Sequence, residues 1–118
     1  MSIKVVHIGA PKAKGAVRAY LARESSKSRA KSSDVFLTEL GNPFPLHSER
    51  DRAKVIAAYR EWLEGKLRTK DAEVRGALNR LYGLAKRGDV ELACFCAPRA
   101  CHCDVVKEKL EGVLGPPK

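Results

Sequence analysis

The chain of 118 residues predicts a small α/β domain, two- or three-layered and Rossmann-like, on a short and mainly parallel sheet. Three observations lead there. Short β-branched or apolar runs at 3–8, 34–38 and 90–96 read as strands, and runs with apolar residues at helical spacing lie between them. Gly- and Pro-bearing segments punctuate the joints. Strands separated by helices favour parallel pairing with right-handed crossovers, because a tight turn cannot join a parallel pair. The expected order is strand, helix, strand, two helices, strand, helix.

Composition sets the class. An apolar content of 44% with 31% charged residues fits one globular domain, 1–118, with a modest core. No run approaches the roughly 18 apolar residues of a membrane span, so no membrane partner is expected. The start, MSIKVVHIG, lacks the basic, apolar and cleavage regions of a signal peptide, so a cytoplasmic location is expected. Disulfides are rare there, which turns the four cysteines toward metal ligation, reactivity or simple packing.

Each element has its own warrant. Ile3-Lys4-Val5-Val6-His7-Ile8 forms the first strand and stops at Gly9 and Pro11, with His7 read as a packed or edge side chain. Residues 9–15 resemble a phosphate cradle only loosely, having neither G-x-G-x-x-G nor P-loop spacing. Val17, Tyr20 and Leu21 at helical spacing predict a short amphipathic helix over 16–23. Residues 25–33, SSKSRAKSS, read as a flexible basic insertion. Asp34 to Thr38 is the second strand, ended by Gly41-Asn42-Pro43-Phe44-Pro45, whose two prolines stiffen the loop and suit a pocket wall.

Ser48-Glu49-Arg50-Asp51 reads as a cap, after which Val55, Ile56, Tyr59, Leu63 and Leu67 mark one face of a helix of about 17 residues. Tyr59 and Trp62 read as core aromatics. Val74, Ala77, Leu78, Leu81, Leu84 and Ala85 place a second helix over about 71–86, and Gly88 ends it. Val90, Leu92 and Cys94 then alternate with Glu91, Ala93 and Phe95 as a buried strand ending near Cys96. Residues 97–100 turn. Val105, Val106, Leu110, Val113 and Leu114 restore helical spacing, which sets Cys101, His102, Cys103 and Asp104 at a helix N-terminus. Such a terminus favours anions and lowers the pKa of a nearby thiol.

In parallel sheets ligands bind at the carboxyl ends of the strands. Gly9 to Lys12, Gly41 to Phe44 and Cys96 to His102 should therefore share one edge. The net charge of +9 is uneven: residues 1–33 hold eight Lys or Arg against one Glu. That asymmetry points to a phosphate-bearing ligand or a polyanion, although a solvated basic face is equally compatible with it.

Gly41-Asn42-Pro43-Phe44, Arg50 or Arg52, Val55-Ile56, Tyr59, Trp62-Leu63, and Leu92-Ala93-Cys94-Phe95-Cys96-Ala97-Pro98 with Cys101-His102 and Asp104 carry a resemblance. The chain resembles the uncharacterised domain-of-unknown-function family number 4326, found in phages and bacteria. Its hallmarks are a G-N-P-F loop, an R…Y-x-x-W-L helix and a C-W-C-A-P…C-H-G-D ending. Residues 34–110 carry the likeness, with the first strand included. Phe95 stands where Trp is usual and Cys103 where Gly is usual, and the basic segment before Asp34 looks atypical. The resemblance implies a compact α/β domain with a shared site and no established reaction.

The Cys/His cluster has three readings. Cys94, Cys96, Cys101, His102 and Cys103 offer enough donors for zinc, although C-x-C-x4-C-H-C lacks paired C-x2-C spacing, so no metal is favoured. Cys101 and His102 have the chemistry of a catalytic nucleophile and acid–base partner, with Cys103 expected to matter less. The third reading is a pocket with packed cysteines and an anion held by main-chain N–H groups and Arg50, Arg52 or Arg99. The expected function is binding of a phosphate-bearing small molecule, a nucleotide or nucleotide derivative, by Gly41, Asn42, Pro43, Phe44, Arg50, Arg52, Cys96, Pro98, Arg99 and Asp104. The competing class is a nucleic-acid-binding accessory protein that engages phosphates through residues 10–33.

Overall fold

The computed structural model describes residues 3–22, 33–44, 48–94 and 101–114. Four strands, β1 (Ile3–His7), β2 (Val17–Tyr20), β3 (Val35–Phe36) and β4 (Val90–Cys94), form one sheet in the order β1-β4-β2-β3. Every pair is parallel, with Ile3 and Val17 both level with Val90. The helices are α1 (Arg52–Arg68), α2 (Ala72–Arg87) and α3 (His102–Leu114), preceded by 3-10 turns at Thr38–Leu40 and Glu49–Asp51. The α/β class and the parallel sheet follow the sequence reading.

One element differs. The segment expected as a helix over 16–23 is β2, so the order opens with three strands. Val17, Tyr20 and Leu21 satisfy a helical spacing, but so short an apolar run fits either period. Pairing with β4 decides it: Val17 N–H donates to the Asp89 carbonyl at 3.0 Å, and β2 lies inside the sheet, where both faces are covered. The chain thus passes from β1 to β2 through residues 8–16, without a helix.

That connection leans on the sheet face opposite the helices. Arg18, wholly buried, sends Nη1 to the Ala10 carbonyl at 2.7 Å and Nε to Glu91 Oε1 at 2.9 Å. Glu91 Oε2 accepts the Ala13 N–H at 3.1 Å. Tyr20 and Ala22 lie on the same face, with Ile8 packed against them. The other face carries Ile3, Ala19, Leu21, Val35, Val90, Leu92 and Cys94, which share one core with Tyr59, Leu63, Val74, Ala77, Leu81, Val105, Val106 and Leu110. All three helices cover that face, so the arrangement is two-layered.

Local sequence sets the helix ends. Asp71 Oδ1 accepts the Val74 N–H at 3.0 Å and caps α2. The α1–α2 turn puts Lys70 at φ 58°, in the left-handed region that glycine usually fills. On α1 only Tyr59 and Leu63 are fully buried; Val55, Ile56, Trp62 and Leu67 are half-buried. The second strand is shorter than expected, pairing only at Val35 and Phe36. The basic insertion at 25–33 lies outside the described residues, apart from Ser33.

Candidate functional site

The four parallel strands end at one edge, and three segments meet there. Cys94 is the last residue of central β4 and faces the helices, in step with Val90 and Leu92. Cys101 directly precedes α3, and its N–H donates to Asp104 Oδ2 at 2.9 Å. The Asp104 N–H returns to the Cys101 carbonyl at 3.0 Å. This local loop of hydrogen bonds is half of a capping box, and it explains why an acidic residue stands three positions after the cysteine. It turns the Cys101 side chain inward.

Cys94, Cys101 and Cys103 are free, buried thiols whose sulfurs all lie within 4.8 Å of one another. Cys94 Sγ and Cys101 Sγ are 3.2 Å apart. The Cys101 thiol is drawn down by its hydrogen bond with Cys103, but the bond with Cys94 and burial outweigh this and it is pushed up to about 12. Hydrogen bonds with Cys101 and Cys94, together with burial, push Cys103 well above the thiol range as well. The expected activation of Cys101 at the helix N-terminus is thus reversed: Cys101 and Cys103 both hold their protons. Cys103, which sequence spacing set apart, is inside the cluster.

His102 points elsewhere. Its Nε2 meets the Leu21 carbonyl just beyond β2, and its ring lies edge-on to Tyr59 at a centroid distance of 5.1 Å. Burial lowers its pKa, so the neutral imidazole donates Nε2–H to that carbonyl. Cys103 Sγ is 3.9 Å from Nε2, and the pairing of Cys101 with His102 that a nucleophile would use is not made.

The G-N-P-F segment joins the same edge. Tyr59 O–H donates to the Leu40 carbonyl at 2.7 Å while its ring holds His102, so one side chain ties the segment before Gly41 to the start of α3. Burial raises the Tyr59 pKa far above the phenol range, and the hydroxyl stays a donor. Gly41 has an ordinary φ of −64°; its need is space, since a Cβ there would sit 3.0 Å from the carbonyl oxygens of Ala22 and Thr38. Asn42 Oδ1 accepts the Phe44 N–H at 2.9 Å, a turn-forming contact. Phe44 packs on the main core and Pro43 is exposed.

Helices α1 and α3 run in the same sense, since Tyr59 meets His102, Arg60 pairs with Glu108, and Lys109 Nζ reaches Glu64 at 2.8 Å. The first turns of α1 therefore overhang the start of α3. There Glu49, Arg50, Arg52, Ala53, Ile56 and Arg60 line a shallow depression. Arg52 is paired with Glu49 at 2.6 Å, and Arg50 is exposed. Cys96, Pro98 and Arg99 lie outside the described residues. Sequence reasoning missed the link made by Tyr59 and the Leu21 carbonyl; the buried Arg18–Glu91 pair was foreshadowed only by Glu91 inside an apolar strand.

No curated protein and no solved structure matches the chain. The model of one family matches residues 10–112. The match leaves β1 outside, takes in the basic segment that sequence reading set apart, and covers the G-N-P-F turn, α1, α2, β4 and most of α3. With most of its length inside that match, the chain belongs to the family described as domain of unknown function (DUF4326).

Proposed function

We propose that the chain is a ligand-binding domain whose site lies at the carboxyl edge of the sheet and takes a phosphate-bearing small molecule, a nucleotide or nucleotide derivative. The observation that carries the reading is the Tyr59 link, which fixes the G-N-P-F segment and the N-terminus of α3 as two walls of one edge. Exposed Arg50 at the adjoining depression supplies a cationic group beside it, with Arg52 and Arg60 lining the depression but paired with Glu49 and Glu108, and the first turn of α3 adds main-chain N–H donors. Binding is favoured over catalysis because Cys101 keeps its proton and His102 is engaged with a carbonyl. Free rather than paired thiols suit a cytoplasmic setting, that of the host for a phage-encoded protein.

Nucleic-acid binding through residues 10–33 is the weaker reading. Arg18 is buried against Glu91, and Lys12 Nζ is held by Asp34 at 2.9 Å, so two of the basic residues in that stretch are already engaged. Calorimetric titration with nucleoside mono-, di- and triphosphates tests the proposal. One site per chain is expected, weakened by Arg50→Ala and only modestly sensitive to salt. Absence of nucleotide binding, or tight binding of an oligonucleotide that collapses with salt, would overturn it.

A further inference from the structure

We propose that Cys94, Cys101 and Cys103 form a three-thiolate site for a soft divalent metal ion, with Zn2+ as the occupant their chemistry fits. The inference goes beyond the nucleotide reading and does not depend on it. Three thiols converge from two elements, the end of the central strand and the start of the helix that follows it. A tetrahedral ion with sulfur at about 2.3 Å sets neighbouring sulfurs about 3.8 Å apart. The sulfurs here lie close to that spacing, with one pair at 3.2 Å and all pairs within 4.8 Å. Closing on an ion therefore requires shifts of an ångström or less.

The donor set selects the ion. Thiolates favour Zn2+ and other soft ions over Mg2+ or Ca2+, and among the described residues no carboxylate belongs to the cluster. Asp104, the nearest acid in sequence, has its Oδ2 engaged by the Cys101 N–H. The positive end of α3 offsets part of the charge of three thiolates. On binding, each thiol passes its proton to solvent and one S–metal bond forms per cysteine, with no electron transferred. Among the described residues three thiols supply ligands, which leaves one tetrahedral position for a further donor.

A disulfide between Cys94 and Cys101 is the competing chemistry, and it leaves the third thiol in the cluster without a role. Packing alone, with cysteines as small apolar groups, is the other. Co2+ titration of the full chain, kept reduced and stripped of metal, separates the three. One Co2+ per chain with a thiolate-to-metal charge-transfer band is expected, displaced by Zn2+ and confirmed as one ion per chain by native mass spectrometry. Cys94→Ser, Cys101→Ser and Cys103→Ser should each weaken binding by more than the roughly 10- to 100-fold that an outer-shell change costs. His102→Asn, which leaves the three sulfurs in place, should weaken it less than any of the serine changes. If the folded, reduced wild-type chain binds no Co2+, or carries a Cys94–Cys101 disulfide that excludes it, the proposal is overturned without recourse to the variants. Binding unchanged in Cys103→Ser also overturns it.

Discussion

Removing the Glu91 carboxylate tests the least expected feature of the fold, the buried ion pair that holds residues 8–16 over the sheet. Arg18 is 0% exposed and Glu91 5%, and they meet through Nε at 2.9 Å and Nη2 at 2.8 Å. Glu91→Ala strands a buried guanidinium and releases the Ala13 N–H that Oε2 accepts. Breaking one side of a buried pair costs about 3–5 kcal/mol. Unfolding entropy near 2.1 cal/mol/K per residue makes that a fall in Tm of roughly 12–20 °C for a chain this size. The double variant Arg18→Met/Glu91→Leu removes both charges and should recover much of the loss, because well-packed apolar replacements of buried pairs are often neutral. Urea denaturation of the two single variants and the double variant measures the coupling directly. If Glu91→Ala costs less than about 1 kcal/mol and the double variant is no better, Arg18 does not face Glu91 and residues 17–20 are not an interior strand.

Other outcomes are as definite. Leu63→Ala on the buried face of α1 should cost about 2–5 kcal/mol by denaturation, Ile56→Ala less because Ile56 is half-buried, and Lys54→Ala almost nothing. Tyr59→Phe removes the donor to the buried Leu40 carbonyl and should destabilise by about 1–3 kcal/mol; an unchanged midpoint would break the link between the G-N-P-F segment and α3. Lys70→Gly relieves a left-handed residue at the α1–α2 turn and should stabilise by about 0.5–1 kcal/mol in thermal melts. Asp34 accepts the Arg18 N–H and is held by Lys12, which lowers its pKa below 3.8. Its contribution is therefore present above about pH 4 and lost as pH falls through the lower folded pKa, so Asp34→Asn should flatten the acid limb of a stability–pH profile.

Much of this architecture was legible in order. The periodicity of Val74, Ala77, Leu81 and Ala85 places α2 to within a residue, because a 16-residue amphipathic pattern has enough turns to exclude a strand. The alternation of Val90, Leu92 and Cys94 likewise marks the central strand, and the stop at Gly88 marks where it begins. The four residues of β2 offer no such length, so Val17 and Tyr20 were open to either period until β4 supplied hydrogen-bond partners on one side and β3 on the other. Sequence spacing set Cys101 and Asp104 at a helix start, as they are. It also invited an activated thiolate there, whereas burial and the neighbouring sulfurs reverse the sign.

By itself, the sequence determined the α/β class, the last three of the four helices it predicts and the gathering of the G-N-P-F and Cys/His segments at one sheet edge, because these follow from local periodicity and the connectivity of parallel strands. Tertiary structure alone decided that residues 17–20 pair as a strand, that Arg18 finds Glu91, that Tyr59 spans from Leu40 to His102, and that Cys101 meets two other thiols rather than His102. Each of those depends on contacts between residues far apart in the chain, or on which way adjacent side chains turn within one helical turn. Neither is encoded in spacing along the sequence.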